Sequence, residues 1–207
     1  MKYFFYKLLL IFFICFLFDD TYAQVKTKTF ADGIPNNLLA NTGNTNTVVL
    51  KPPLEFYKLK NKQKKESSES IKGLYKIALP SEVNIDFIKE AVVSERDGVL
   101  TYRKMISATD ALNLSFQFNK FILSRKSTLS LYTKNELTDS ITANENNENK
   151  TWTTRVYQGN ILNIMLKVPS IEKGQSSINI NQVSFGYKDI GRFGNPGSSE
   201  SCNINVA

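Results

Sequence analysis

The run ALNLSFQF sets Leu112, Leu114, Phe116 and Phe118 on one side and Asn113, Ser115 and Gln117 on the other. Side chains of an extended chain point alternately to opposite faces, so this is a strand with one apolar face. Such a face needs a second layer to cover it. The pattern returns in TLSLYT through Leu129 and Leu131, and in ILNIMLKV, which follows the Gly159–Asn160 turn and is bounded by Pro169. It returns again in Ile178, Ile180, Val183, Phe185 and Tyr187, where the alternation slips near Asn181 and Gln182 and a bulge would restore it.

Other segments are less regular. Asp97 and Gly98 form a turn pair between two extended runs. In the second run Leu100, Tyr102, Lys104 and Ile106 oppose Val99, Thr101, Arg103 and Met105, which is not cleanly amphipathic. VNIDFIKEAVV alternates as a strand in its first half, while Phe87, Ile88 and Ala91 would share a helical face. KGLYKIAL reads as a strand closed by Pro80, and Val48–Leu50 as a short strand ended by Pro52 and Pro53. KNKQKKESSES, without an apolar residue, reads as a loop, KNELTDSITANENNENK as a long polar excursion, and WTTRVYQ as a further strand segment.

About eight short strands with polar or glycine-bearing connections predict an all-β fold, an antiparallel β-sandwich or jelly-roll-like domain with slight helical content. A parallel α/β fold would need amphipathic helices between the strands. Trp152 is read as a core or core-edge residue rather than a ligand platform, as are Tyr102, Phe116, Phe118, Phe121 and Tyr132.

Lys2 and Lys7 precede the apolar run Leu8–Phe18, and Thr21, Tyr22 and Ala23 follow it, the order of a secretory signal peptide cleaved after Ala23. Eleven apolar residues are short of the roughly twenty that span a bilayer, so secretion is expected and stable membrane insertion is not. Removing the signal takes Cys15 away and leaves Cys202 as an odd cysteine in an oxidising compartment. Lys51–Pro80 holds eight lysines against three glutamates within a chain of net charge +7. Without aromatic-interleaved basic repeats, a solvated face or one complementary to an acidic partner is the reading, and nucleic acid is not.

The chain has no histidine, so neither a Ser-His-Asp nor a Cys-His arrangement is available, and no His-containing metal site is. Asp97, Asp110, Glu136 and Asp139 are carboxylates beside turns with nothing to pair two of them for glycoside hydrolysis. Glu145, Asn146, Asn147 and Glu148 match no calcium-loop spacing and read as a solvated hairpin tip, while Ser198, Ser199 and Ser201 have no base to activate them. No catalytic, cofactor-binding or metal-binding residue is therefore assigned.

Gly191–Ala207 carries three glycines and a proline in its first seven positions, which suits a connector. Its end, SESCNINVA, resembles the start of the mature catalytic domain of secreted lysyl endopeptidases, trypsin-like serine proteases, with Ser201, Cys202 and Asn203 in the family's Ser-Cys-Asn motif. The stretch before it is similar to that family's β-rich pro-region in Asp97 and Gly98 followed by Tyr102 and Arg103, in Phe118–Phe121 leading to Leu129, Leu131 and Tyr132, in Trp152 and Thr153, and in VSFGYKDI. The likeness runs from about Gly73 to the last residue; Phe185 stands where related pro-regions often have a histidine.

The resemblance implies a precursor that cleaves peptide bonds after lysine through a triad lying downstream of the motif. It places a processing region at Gly197 and Ser198 and makes Cys202 a half-cystine of the protease domain. The nearest preceding basic residues, Lys188 and Arg192, are not adjacent to Gly197. The resulting expectation is a signal peptide over 1–23, an N-terminal arm over 24–53, a β-sandwich pro-region over 54–190, and a linker with the start of the protease domain over 191–207. The expected partner is the cognate protease domain in cis, with no cofactor. The alternative is a freestanding secreted β-sandwich that binds glycan or protein, through aromatics around Trp152 and Tyr157.

Overall fold

A computed structural model describes residues 27–35, 45–65 and 76–188. In chain order the strands are β1 (Thr27–Thr29), β2 (Asn46–Leu50), β3 (Ala78–Asp86), β4 (Val92–Arg96), β5 (Val99–Ala108), β6 (Asn113–Ile122), β7 (Thr128–Tyr132) and β8 (Glu136–Ile141). They continue with β9 (Trp152–Thr153), β10 (Tyr157–Gln158), β11 (Ile161–Pro169) and β12 (Ser177–Gly186). Two helices join them, α1 (Phe56–Lys65) and the single turn α2 (Phe87–Glu90). Short 3-10 turns lie at Ala143–Glu145 and Ser170–Glu172.

The strands form two sheets that share one apolar core. The seven-stranded sheet runs β1-β8-β7-β11-β5-β2, with β4 also on β5; the five-stranded sheet runs β10-β6-β12-β3, with β9 also on β6. Leu114, Phe116 and Phe118 of β6 and Ile180, Val183 and Phe185 of β12 meet Ile106 of β5 and Leu162, Ile164 and Leu166 of β11 in a single cluster. The alternation in β6 from Leu114 onward and in β12 is therefore core-facing, as the sequence indicates, whereas Leu112, ahead of the strand, is exposed and Asn113 is buried. The slip near Asn181 is real: the pairing of β12 with both β3 and β6 shifts between Ile180 and Gln182.

The Asp97–Gly98 turn joins β4 to β5 with positive φ at both residues (51° and 73°), the backbone sense that matches strand twist in a tight hairpin. In VNIDFIKE, β3 ends at Asp86 and α2 begins, because the Asp86 side chain accepts the Lys89 N–H and caps the turn. The first half of that segment is a strand, as read, and the second half resolves to a helical turn.

Five readings need correction. The antiparallel expectation fails at β2, which pairs parallel with the C-terminal half of β5, while β4 takes the same edge antiparallel over the N-terminal half. The loop expected from Lys60 is in part the end of a ten-residue helix, α1, so the domain combines helix with its two sheets. Lysine and glutamine are good helix formers, and Phe56 with Leu59, three apart, gives α1 the apolar contact that fixes it. Phe56 is fully buried, edge-on to Phe185 and Tyr187 at 6.3 and 6.5 Å.

Pro80 lies inside β3 rather than closing a strand, which is tolerated because β3 is an edge strand. The polar excursion after Tyr132 contains β8, whose Leu137 and Ile141 are buried and whose Glu136 and Thr138 side chains find partners in the fold. The interval 24–53, expected as an arm, contributes β1 and β2, and Phe30 and Ile34 cover Tyr132, Leu137 and Met165 in a second small apolar cluster. Burial on both faces of β7 follows from that cover. Residues 1–26 and 189–207, which include the signal segment and the connector, lie outside the described residues. Among those described, no helix is long and apolar enough to cross a membrane.

Candidate functional site

The outer face of the five-stranded sheet carries a polar groove of about 520 Å³. Its floor crosses three strands, through Asn84 of β3, Asn119 and Lys120 of β6, and Asn179 of β12. Strict alternation would send Asn119 and Lys120 to opposite faces. Instead Ile180 pairs with Phe118 and Asn179 with Lys120, so Asn119 is an inserted residue and both side chains are exposed. The same irregularity returns Phe121 to the core beside Phe118, where the two rings make an edge contact at 5.6 Å.

Asn149 and Lys150 form one wall, and their loop is tied to the sheet at several points. The Asn146 amide donates to the Leu123 carbonyl and accepts the Leu123 N–H, both at 2.9 Å. Asn147 spans the loop to Thr151, and the Lys150 carbonyl accepts the Phe121 N–H at 2.7 Å. Lys150 holds φ at 54°, a left-handed conformation uncommon for a side chain of this size. The Glu145–Glu148 segment is solvated, as read, and is pinned to the sheet by these bonds, and among the described residues no group of carboxylates is placed for a metal.

Asp86 forms the other wall. Burial pushes its carboxyl up, but the Lys89 hydrogen bonds and the Lys89 and Lys120 charges outweigh this and hold it below the usual range. Its charge is already matched by Lys89 Nζ at 3.0 Å. Asn179 Nδ2 donates to Asn84 Oδ1 at 2.9 Å, while Asn179 Oδ1 is buried without a hydrogen-bond partner.

The carboxylates considered from sequence go separate ways. Asp97 sits in an exposed turn beside Arg96, and Asp110 accepts the Tyr57 hydroxyl at 2.8 Å. Glu136 is buried, accepting the Gln158 N–H at 2.8 Å and an Arg155 N–H at 3.3 Å. Beside it, the buried Tyr157 hydroxyl donates to Thr138 Oγ1 at 2.6 Å, and Thr138 Oγ1 lies 2.6 Å from Thr27 Oγ1. These contacts fasten the edge strand β1 and the short β10 to the sheets; they are structural.

Trp152 is half-buried, stacked on Phe121 at 4.8 Å and tilted against Phe118 at 5.6 Å, as a core-edge residue should be. Tyr157 is 1% exposed, so Trp152 and Tyr157 do not form an open aromatic platform.

The domain's exit is firmly held. Gly186 ends β12, the Tyr187 N–H bonds the Ile77 carbonyl, and the Tyr187 hydroxyl bonds the Lys76 carbonyl at 2.8 Å. Asn113, 1% exposed, donates to the Lys188 carbonyl at 2.6 Å. The sequence places Asn113 on the polar face of its strand but gives no sign of this role. Gly197, Ser198 and Cys202 lie beyond this point, outside the described residues. No protein-family model matches the chain, and no curated protein matches it.

Proposed function

We propose that this chain is the non-catalytic pro-region, a β-sandwich over 54–190, of a secreted serine endopeptidase precursor of the lysyl endopeptidase type. It assists folding of the protease domain that follows the Ser201-Cys202-Asn203 motif, or inhibits it until release. The observation that carries this reading is the anchored exit at Lys188. The last strand delivers the chain from a buried, hydrogen-bonded point into the segment bearing the motif. A folded module joined this closely to its partner acts at high effective concentration, so a weak docking surface suffices.

Two further observations support it. The core is self-contained, which a module that folds first needs, and α1 presents Lys58 and Lys62 on its exposed side for an acidic partner. Cleavage near Gly197 releases the module with its exit contacts intact, whereas the Lys188 carbonyl is held inside the fold.

The coding sequence past Ala207 tests the identity. A cysteine directly after Ala207, then a histidine, an aspartate and a glycine-flanked serine further on, is the expected continuation; an unrelated domain sinks the reading. With that protease domain in hand, the module added in trans at micromolar concentration should inhibit lysine-directed cleavage or speed refolding, less so as salt rises. The freestanding-module alternative is favoured by the polar groove, and no longer by the aromatics.

A further inference from the structure

We propose that the groove on the outer face of the five-stranded sheet is a binding site for a short acidic oligosaccharide. The chemistry of the lining selects the ligand. Asn84, Asn119 and Asn149 are exposed amides; Asn119 and Asn149 each offer paired donors and an acceptor that match vicinal hydroxyls, and Asn84, whose oxygen accepts from Asn179, offers its donors. Lys120 and Lys150 add two cations, and among the described residues neither is held in an ion pair. The single carboxylate, Asp86, is matched by Lys89, so the site presents net positive charge to its ligand.

An acidic peptide fits less well. At the floor, β12 is paired on both edges, with β6 and β3, so an added strand could not lie across the middle of the groove and would have to pair at its margin, on the outer edge of β3. Ile178, the one apolar residue of the lining, is 1% exposed and offers no pocket for an anchoring side chain. The volume falls in the range of small-ligand sites.

The site is also built before any ligand arrives. Asn119 and Lys120 are brought out together by an inserted residue in β6, and Lys150 is held left-handed by a loop tied to Leu123 and Phe121. Local irregularity in two neighbouring elements, both aimed at one groove, orders the polar groups without cost to the ligand.

The test uses the full chain, titrated by calorimetry with oligogalacturonate, with a neutral maltooligosaccharide of equal length, and with oligoglutamate. Saturable binding of oligogalacturonate is expected, weakening as salt rises, with the neutral sugar at least about tenfold weaker. Lys120→Gln with Lys150→Gln should lower affinity by about tenfold or more, and Asn149→Ala by several-fold, while Lys173→Gln, an exposed lysine away from the groove, leaves it unchanged. Unchanged circular dichroism and melting temperature show that the variants fold. Equal binding of the neutral sugar overturns the charge argument, and equal binding of oligoglutamate overturns the sugar argument. No saturation by about 10 mM oligogalacturonate overturns the site itself. None of these outcomes depends on a protease domain, so the result stands apart from the pro-region reading.

Discussion

Replacing Gly186 with alanine should destabilise the domain more than any other single-methyl addition at its exit. A Cβ built on Gly186 would lie 1.9 Å from Asn113 Oδ1, 2.3 Å from Cγ and 2.5 Å from Nδ2. The two residues face each other in the β12–β6 register. Asn113 cannot simply swing away, because it is buried and its amide holds the Lys188 carbonyl at 2.6 Å. Displacing it strands a buried amide, at about 1–3 kcal/mol, and forces local repacking of a similar size. Gly186→Ala should therefore cost about 2–5 kcal/mol, a large share of a typical domain's stability. Asn113→Ala alone removes the obstacle with the hydrogen bond and should cost about 1 kcal/mol. In the double variant the alanine methyl occupies vacated space, so the combined loss should fall short of the sum by at least about 1 kcal/mol. Urea denaturation of the four proteins measures this. Additive losses, or a Gly186→Ala variant within about 0.5 kcal/mol of the parent, would refute the steric argument.

The remaining predictions concern buried polar groups. Burial pushes the Tyr157 phenol from 10.0 up to about 12, against the opposing Arg155 charge. A raised folded-state value means its contribution is fully present below pH 10 and lost as pH rises through about 12. The loss is about 3 kcal/mol, and Tyr157→Phe should lack that part of the alkaline transition; identical alkaline profiles would count against it. Lys104 is fully buried on the core face of β5, with Glu90 Oε2 at 3.0 Å from Nζ in an alignment that leaves Nζ without a well-formed hydrogen bond. Glu90→Gln should cost about 2–3 kcal/mol by leaving the ammonium unpaired, whereas Lys104→Met should stay within about 1 kcal/mol of the parent. The reverse order in thermal or chemical unfolding would show that the pair stabilises the fold on its own account.

The strands that were legible from sequence are those whose partners ask only for an apolar face. β6 and β12 alternate because every inward position meets the same core, and the slip at Asn181 is visible as a break in that alternation. β8 was not legible, because Glu136 and Thr138 look like solvated loop residues until Arg155, Gln158, Thr27 and Tyr157 are brought to them. Lys104 misleads in the same way: it falls on the correct face of β5, yet a lysine between Tyr102 and Ile106 makes that face look mixed. In α1 the two apolar residues that fix the helix are outnumbered by lysines, so composition argues for a loop where packing produces a helix. Local pattern reports burial well and reports satisfied polar burial poorly, since the satisfying partner is distant in sequence.

The same distinction explains why the groove is invisible in the sequence although its residues are ordinary. Asn84, Asn119, Asn149 and Asn179 come from four separate segments, and each alone reads as a turn or surface residue. What gathers them is register: the inserted residue in β6 and the shift in β12 lie close together on paired strands. An irregularity in one strand can be absorbed at a sheet edge, but β12 and β6 are interior, paired on both sides, and their shifts must be accommodated by neighbours. Keeping such irregularities in the middle of a sheet costs ladder hydrogen bonds, and the unpartnered Asn179 Oδ1 adds to that cost. A sheet selected for stability alone would remove them by deleting Asn119 and restoring strict alternation. That deletion should raise stability while removing the Asn119 amide and leaving Lys120 as the one outward side chain between Phe118 and Phe121, which separates the groove's role from the fold's.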